Sequence, residues 1–475
     1  MKLQNQKHIH FVGIKGVGMT PLAIIAREAG FHVTGCDTQD VYITDELLAK
    51  AGIKIENGFN TSHIDGVDMV VTTGAHEGYS NPEVQKAKEM KIPVYTQGEA
   101  VGLFMKGEIF EKKEIQGISV TGCHGKTTTT AMLATILQEV GFDPSFLIGT
   151  GLVPSLGTSG HFGHGTYFIA EADEYANEPQ FDKSAKFLSQ HPKIAIITNI
   201  EFDHPDIYQT IDNVRKAYAT FAQQVATDGG LLIVNGDDPQ INTLLETYTG
   251  EVITFGENKD NDYILSSKHP QKFVLRVAQE DWESEFSLAV FGLHNIKNAT
   301  AAIIVARELG IGEKDIQKGL NAFVGTKRRL EYQGMLGNGA LVYDDYAHHP
   351  TEIRATLKSI REKYPERHIL CVFQPHTFSR TKLLFEDFID SFENADKVIL
   401  VDIFPSAREP QDTSITSKML SDALIGKGKV VFYISNPEDV VQYVNQNKEQ
   451  FGQNTVIITM GAGDIYQIAK DLIQL

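Results

Sequence analysis

The chain has 475 residues, which at roughly 150 residues per domain predicts about three domains. Its 43 basic and 61 acidic side chains leave a net charge of −18, which excludes a broad cationic face for nucleic acid or anionic lipid but not a local basic pocket. With 42% hydrophobic residues, three cysteines that form neither a disulfide framework nor a metal-ligand spacing, no apolar run of membrane-spanning length and no secretory h-region near the start, the sequence predicts a cytoplasmic globular protein with reduced thiols and no membrane insertion.

Short β-branched runs alternate with helix-period segments from end to end, the pattern of an α/β protein with largely parallel sheets. Residues 8–12 read as a strand, followed by the turn Gly13-Ile-Lys-Gly16-Val-Gly18 and a helix from Pro21 to Glu28. Further strands are expected at 31–35, leading to Asp37, and at 69–72 and 93–95. A polar stretch over 107–114 marks the first boundary, so residues 1–108 are expected to form a Rossmann-like domain. The second unit, 109–324, opens with a strand at 116–121 and the sequence TGCHGKTTTT. A helix follows with Met132, Leu133, Ile136, Leu137 and Val140 as its apolar positions. Strands are expected at 167–170, 193–199 and 231–235, shorter strands or hairpins over 248–287, and a helix at 295–309. The third unit, 325–475, carries strands at 340–344, 368–373, 398–402, 430–434 and 455–459, and is expected to be a second Rossmann-like domain.

The sharpest chemical signal is Gly122-Cys-His124-Gly125-Lys126-Thr127, directly between a strand and a helix. Its glycines let backbone N–H groups approach phosphate, Lys126 offers a cation to the β- and γ-phosphates, and the Thr127 hydroxyl suits Mg²⁺ at the helix N-terminus. Two acidic clusters end the following strands, Glu171-Ala-Asp173-Glu174 and Glu201-Phe-Asp203-His204. In an open parallel sheet the carboxyl ends of adjacent strands meet at the ligand crevice, which would bring Glu171 and His204 towards the phosphate loop. The turn Gly13, Gly16, Gly18 with Asp37 beyond it resembles a diphosphate-binding fingerprint, and its spacing does not separate NAD from a UDP-linked ligand. In the third unit Asp344-Asp345-Tyr346-Ala-His348-His349 and Gln374-Pro-His376-Thr-Phe-Ser-Arg380 end successive strands. Tyr346, His348, His376 and Arg380 are therefore expected to contact a ligand.

With these residues in place, the chain resembles the Mur ligase family over nearly its full length. GIKGVGMT, TGCHGKTTTT, EADE, TNIEFDH, GLHNIKNA, KRRLE, DDYAHHPTEI, QPHTFSR and GAGDI carry the likeness in that order. The resemblance implies an ATP-dependent ligase of three domains: a UDP-sugar domain, a central P-loop ATPase and a C-terminal Rossmann-like domain. Its substrates would be ATP, UDP-N-acetylmuramate and L-alanine, with Mg²⁺ as cofactor. By that likeness Gly122, His124, Gly125, Lys126, Thr127 and Thr128 hold ATP, Asn295 meets the adenine, Arg329 reaches the phosphates and Asp344 the ribose. Lys126, His204 and Arg329 would be catalytic, and Thr127, Glu171 and His204 would hold metal. Gly13, Gly16, Gly18 and Asp37 would bind the UDP-sugar, and Tyr346, His348, His376 and Arg380 the amino acid. Lys15 stands where a glycine is usual and is expected to add charge or bulk beside the pyrophosphate. Tyr175-Ala-Asn-Glu178 and FDKSAKF resemble the sister ligase that recycles murein tripeptide, Thr377 replaces a common basic residue, and Lys216 is the nearest candidate for carbamylation. An NAD-dependent oxidoreductase would leave the phosphate loop without a role, and a non-catalytic nucleotide switch would leave the histidines and Arg380 without one.

Overall fold

A computed structural model describes residues 7–111, 115–405 and 409–474. Part of the polar stretch expected as the first boundary, 112–114, lies outside them. Among the described residues three large open sheets follow one another along the chain, with a separate two-stranded hairpin between the parts of the second. The first has five parallel strands, ordered across the sheet as Lys54–Asn57, His32–Asp37, His8–Val12, Met69–Thr72 and Val94–Thr96. The strand order reverses direction beside His8–Val12, and such a switch point is where parallel sheets receive ligands. Gly13 leaves that strand at φ 77°, and a Cβ there would lie 2.5 Å from the Thr73 side chain. Only glycine turns the chain at this point.

The central sheet has ten strands. Its parallel middle includes Tyr167–Glu171, Gln116–Thr121, Ile194–Ile197 and Leu231–Asn235, and it ends in the antiparallel ribbon Tyr263–His269, Lys272–Val277 and Glu283–Ser287. The helices Lys126–Glu139 and Leu293–Glu308 bury side chains around nearly their whole circumference, threonines and asparagines among them. That is the pattern of helices buried on all sides, and both pack in the main core with Ile118, Ile196 and Phe255. The expected strand at 193–199 covers only Ile194–Ile197; beyond it the Thr198 and Asn199 side chains donate to the His124 carbonyl.

The C-terminal sheet has six strands, five of them parallel, with Glu331–Met335 as an antiparallel edge that the sequence reading did not anticipate. The first and central domains join through a crowded seam. Around the hairpin Ala176–Glu178 and Asp182–Ala185, a Cβ on Gly74 would meet Pro179 at 2.8 Å, one on Gly78 would meet Glu178 at 2.0 Å, and one on Gly98 would meet Asn177 at 2.3 Å. Lys216 is exposed on the helix Ile211–Thr227 and is not among the residues that line the cavity described below.

Candidate active site

The strand Gln116–Thr121 delivers the chain to Gly122 at φ 128°, where a Cβ would lie 2.0 Å from Thr198 Oγ1. Gly125, also left-handed at φ 84°, ends the loop as the N-cap of the helix Lys126–Glu139. The loop is fastened to the next strand end: Asn199 Oδ1 accepts from the His124 N–H at 2.9 Å and Thr198 Oγ1 donates to the His124 carbonyl at 2.5 Å. The loop borders a cavity of about 640 Å³ between the central and C-terminal domains, a size typical of small-molecule sites. His124, Gly125, Thr127, Thr128, Asn295 and Arg329 line it together. Asn295 is held by its own amide, which donates to the Phe291 carbonyl at 2.9 Å. Further along the same wall Lys297 pairs with Asp237 at 2.9 Å.

Lys126 and Gly122 lie at the loop but not on the cavity wall. The Lys126 ammonium donates to Glu174 Oε2 at 2.7 Å and to the Gly122 carbonyl at 2.7 Å. Burial works against its charge, but Glu174 and Asp173 outweigh that and hold its pKa above the usual lysine range. Thr127 Oγ1 lies 3.3 Å from Glu171 Oε2, and the Arg329 guanidinium donates to the same hydroxyl at 3.4 Å. Burial raises the Glu171 pKa despite the Gly149 N–H that donates to Oε1 at 2.7 Å. His204, in the left-handed region at φ 54°, brings Nε2 to 3.5 Å from Glu174 Oε1, and its ring packs edge-on against Tyr175. Glu174 Oε1 is buried with no hydrogen bond of its own. The oxygens of Thr127 and Glu171 are donors of the kind Mg²⁺ takes. The His204 nitrogen is a poorer match for that ion, and it already has Glu174 and Asp203 as partners.

The C-terminal domain closes the cavity with charged groups that the sequence reading left out of the site. Glu352, in the first turn of the helix Pro350–Lys363, accepts from the His348 and His349 N–H groups at 3.0 and 3.2 Å. Its other oxygen reaches His124 Nδ1 at 3.2 Å and Arg329 at 3.8 Å across the domain boundary. Glu201 takes the opposite nitrogen of His124 at 3.1 Å. Although burial opposes it, these two carboxylates raise the His124 pKa to about 10. The legible trace of Glu352 was the His-Pro-Thr-Glu capping pattern, whose glutamate falls at the third helical position.

Two expected contacts are corrected. Asp344 does not line the cavity: its carboxylate accepts from Arg328 Nε at 3.2 Å and Thr459 Oγ1 at 2.7 Å inside the C-terminal domain. Alternation along the strand turns the next residue the other way, so Asp345 lines the cavity instead, and burial raises its pKa to about 7. Arg380 is not an open cation. Its Nε and Nη2 both donate to Asp203 Oδ1, at 2.9 and 2.8 Å, and Nη1 lies 3.3 Å from His376 Nδ1. The rest of the expected amino-acid cluster does come together. The Tyr346 and His348 rings are 5.3 Å apart, those of His348 and His376 6.0 Å, and Tyr346 lies between the Arg328 and Arg329 guanidiniums. Burial lowers the His348 pKa to about 4, so its ring is neutral near pH 7. Thr377 caps the helix that bears Arg380.

The glycine turn of the first domain is built from within. Asp37, 1% exposed, accepts from the Lys15 and Thr38 N–H groups, both at 2.8 Å, and so shapes the turn. The Lys15 ammonium lies 3.6 Å from the Asp45 carboxylate. The same ammonium donates to the Thr38 and Asp40 carbonyls at 3.1 and 2.8 Å. Gly16 and Gly18 complete the turn in ordinary backbone conformations.

Three domain families match the chain: the Mur ligase family, catalytic domain over 8–108, the Mur ligase middle domain over 120–306, and the Mur ligase, glutamate ligase domain over 328–463. A UDP-N-acetylmuramate–L-alanine ligase of Desulfitobacterium hafniense is 40% identical over 98% of this chain and 99% of its own length. A solved UDP-N-acetylmuramate-alanine ligase from Thermotoga maritima superposes with TM-score 0.78 at 26% identity, covering 98% of both chains. A murein peptide ligase from Psychrobacter arcticus superposes with TM-score 0.70 at 25% identity over the same share. Matched across all three domains and aligned over nearly its whole length, the chain belongs to the Mur ligase family.

Proposed function

We propose that the protein joins L-alanine to UDP-N-acetylmuramate, with ATP converted to ADP and phosphate. The observation that carries this reading is the 40% identity to a ligase of that activity over 98% of the chain. The site's chemistry agrees with it. A carboxylate is a poor electrophile, so its oxygen must first attack the γ-phosphorus to form an acyl phosphate. Both reactants are anionic, and fixed cations at the developing charge lower that barrier. In this reading Lys126 exchanges Glu174 for phosphate oxygens, while Arg329 reaches the same phosphates from the start of the C-terminal domain. Thr127 and Glu171 would hold Mg²⁺, which when bound neutralises charge on the β- and γ-phosphates. His348, neutral at pH 7, orients the alanine amine with His376 and Tyr346. The amine nitrogen attacks the acyl carbon and phosphate leaves. Arg380 acts one step removed, by docking its domain onto Asp203 and fixing His376. Gly13, Gly16 and Gly18 form the turn that takes the UDP-sugar pyrophosphate.

A second reading, a ligase that accepts a whole murein peptide, draws on the likeness to the Psychrobacter arcticus protein. Phosphate release measured with ATP and UDP-N-acetylmuramate, with either L-alanine or the tripeptide added, separates the two. Faster turnover with L-alanine is expected. Preference for tripeptide would replace the acceptor and keep the ligase chemistry.

A further inference from the structure

Away from the nucleotide cavity, four side chains of metal-binding type converge beneath the N-terminal sheet. His10 lies on the first strand and Cys36 on the second, where the parallel register pairs His10 with Thr34 and Val12 with Cys36, so both point to one face. His63 comes from the short turn Thr61–Ile64 and Glu83 from the first turn of the helix Pro82–Glu89. One ligand atom from each lies within 4.8 Å of every other. Glu83 Oε2 is 2.9 Å from His10 Nε2 and 3.0 Å from Cys36 Sγ, and Glu83 Oε1 is 2.8 Å from His63 Nδ1. His10, Cys36 and Glu83 are fully buried among Val12, Ile64, Val70 and Val84. The His63 side chain keeps 17% exposure, which provides an entry path from solvent.

The surroundings orient these groups as metal ligands are oriented. His10 Nδ1 is engaged by Thr34 Oγ1 at 2.8 Å, which leaves Nε2 aimed inward, and the Asn60 N–H donates to Glu83 Oε1 at 2.7 Å. Ligating histidines and carboxylates usually have such outer partners. A set of one sulfur, two imidazole nitrogens and one carboxylate oxygen suits tetrahedral Zn²⁺ and not Mg²⁺, which prefers oxygen alone. With bonds of about 2.0–2.3 Å the edges of that tetrahedron are roughly 3.3–3.8 Å, so the ligand atoms need shifts of about 1 Å or less. We propose that His10, Cys36, His63 and Glu83 form a structural Zn²⁺ site that fastens the first two strands to the turn and helix below them. When the sulfur–zinc bond forms, the Cys36 thiol proton leaves to solvent, and the imidazoles bind as neutral rings. The Cys36 carbonyl accepts from the Gly13 and Ile14 N–H groups at 2.9 and 3.2 Å, so the metal would also steady the glycine turn.

The test uses the full-length protein, dialysed against chelator and titrated with Zn²⁺, or with Co²⁺ as a spectroscopic probe, in excess Mg²⁺. One tight equivalent per chain, a thiolate-to-cobalt charge-transfer band and a rise in melting temperature with Zn²⁺ are expected. Cys36→Ser should abolish the band, Cys371→Ala should retain it, and Thr34→Val should weaken Zn²⁺ binding roughly 10- to 100-fold by freeing His10. If Cys36→Ser does not fold, His63→Ala, at the exposed edge, should show the same loss of tight binding. The proposal fails if no tight equivalent binds, if the band is absent or survives in Cys36→Ser, or if His63→Ala binds Zn²⁺ as tightly as the wild type. Metal held without a thiolate band, as His124, Glu201 and His349 in the cavity would hold it, overturns it equally.

Discussion

Replacing Asp203 with Asn tests whether Arg380 serves docking or substrate binding. The two residues are 177 positions apart, and their side chains are only 4% and 5% exposed. Arg380 outweighs the burial of Asp203 and holds its carboxyl well below the usual range. Removing one partner of a buried ion pair costs about 3–5 kcal/mol, because the other charge is left uncompensated. That pair joins the central and C-terminal domains, so the cost falls on the docked arrangement. At about 1.4 kcal/mol per tenfold, it shifts the docking equilibrium by a factor between roughly one hundred and a few thousand. Arg380→Lys should act in the same direction but more weakly, since one ammonium cannot reach Asp203 and His376 together as the guanidinium fork does. In steady-state phosphate release, kcat should fall and the KM values for ATP, UDP-sugar and amino acid should shift together, while small-angle scattering reports a more extended particle. The reasoning is refuted if either variant raises only the amino-acid KM, with scattering unchanged, because Arg380 would then be a direct substrate contact.

Lys126→Ala should reduce phosphate release by at least about 100-fold, on the order of 3 kcal/mol of barrier, with circular dichroism unchanged; wild-type rates in a folded variant would remove the loop from catalysis. Glu171→Gln should raise the Mg²⁺ concentration needed for half-maximal rate while UDP-sugar affinity by calorimetry stays the same, and equal losses in both would contradict the separation of the two sites. His124 holds its proton more tightly folded than unfolded, so its contribution to stability is complete below about pH 6.5 and fades as pH rises towards about 10. The stability difference between wild type and His124→Gln in urea should therefore shrink across that window, and a constant difference would show that Glu201 and Glu352 do not carry it.

What could be read from the sequence was local. The phosphate loop announces itself within six residues because strand, glycines, lysine and helix are contiguous there. The strand ladders were legible for a similar reason, since runs such as Ile-Ala-Ile-Ile at 194–197 are buried on both faces. The edge strand Glu331–Met335 carries no such run; it is held by pairing with its neighbour and not by its own propensity. The misread residues belong to contacts between distant segments. Asp203 and Arg380 each look like a solvated or ligand-binding charge until folding brings them within 2.8 Å. Asp344 and Asp345 are adjacent and chemically identical, so only the strand's orientation decides which carboxylate faces the cavity. Lys15 was judged by its place in a glycine turn, whereas its long side chain reaches carbonyls 23 and 25 positions away.

The crowded seam between the first two domains bears on how members of this family can be recombined. Gly74, Gly78 and Gly98 meet the central domain where even a methyl group would overlap its atoms, so a change on one surface needs a matching change on the other. A chimera that takes its first domain from one relative and its second from another would bring together faces never fitted to each other. Segments up to the exposed Val324 should therefore be exchanged as a single block, with the crossover placed after it. There the partners meet through charged pairs such as His124 with Glu352, which tolerate small differences in shape better than interlocked backbones do.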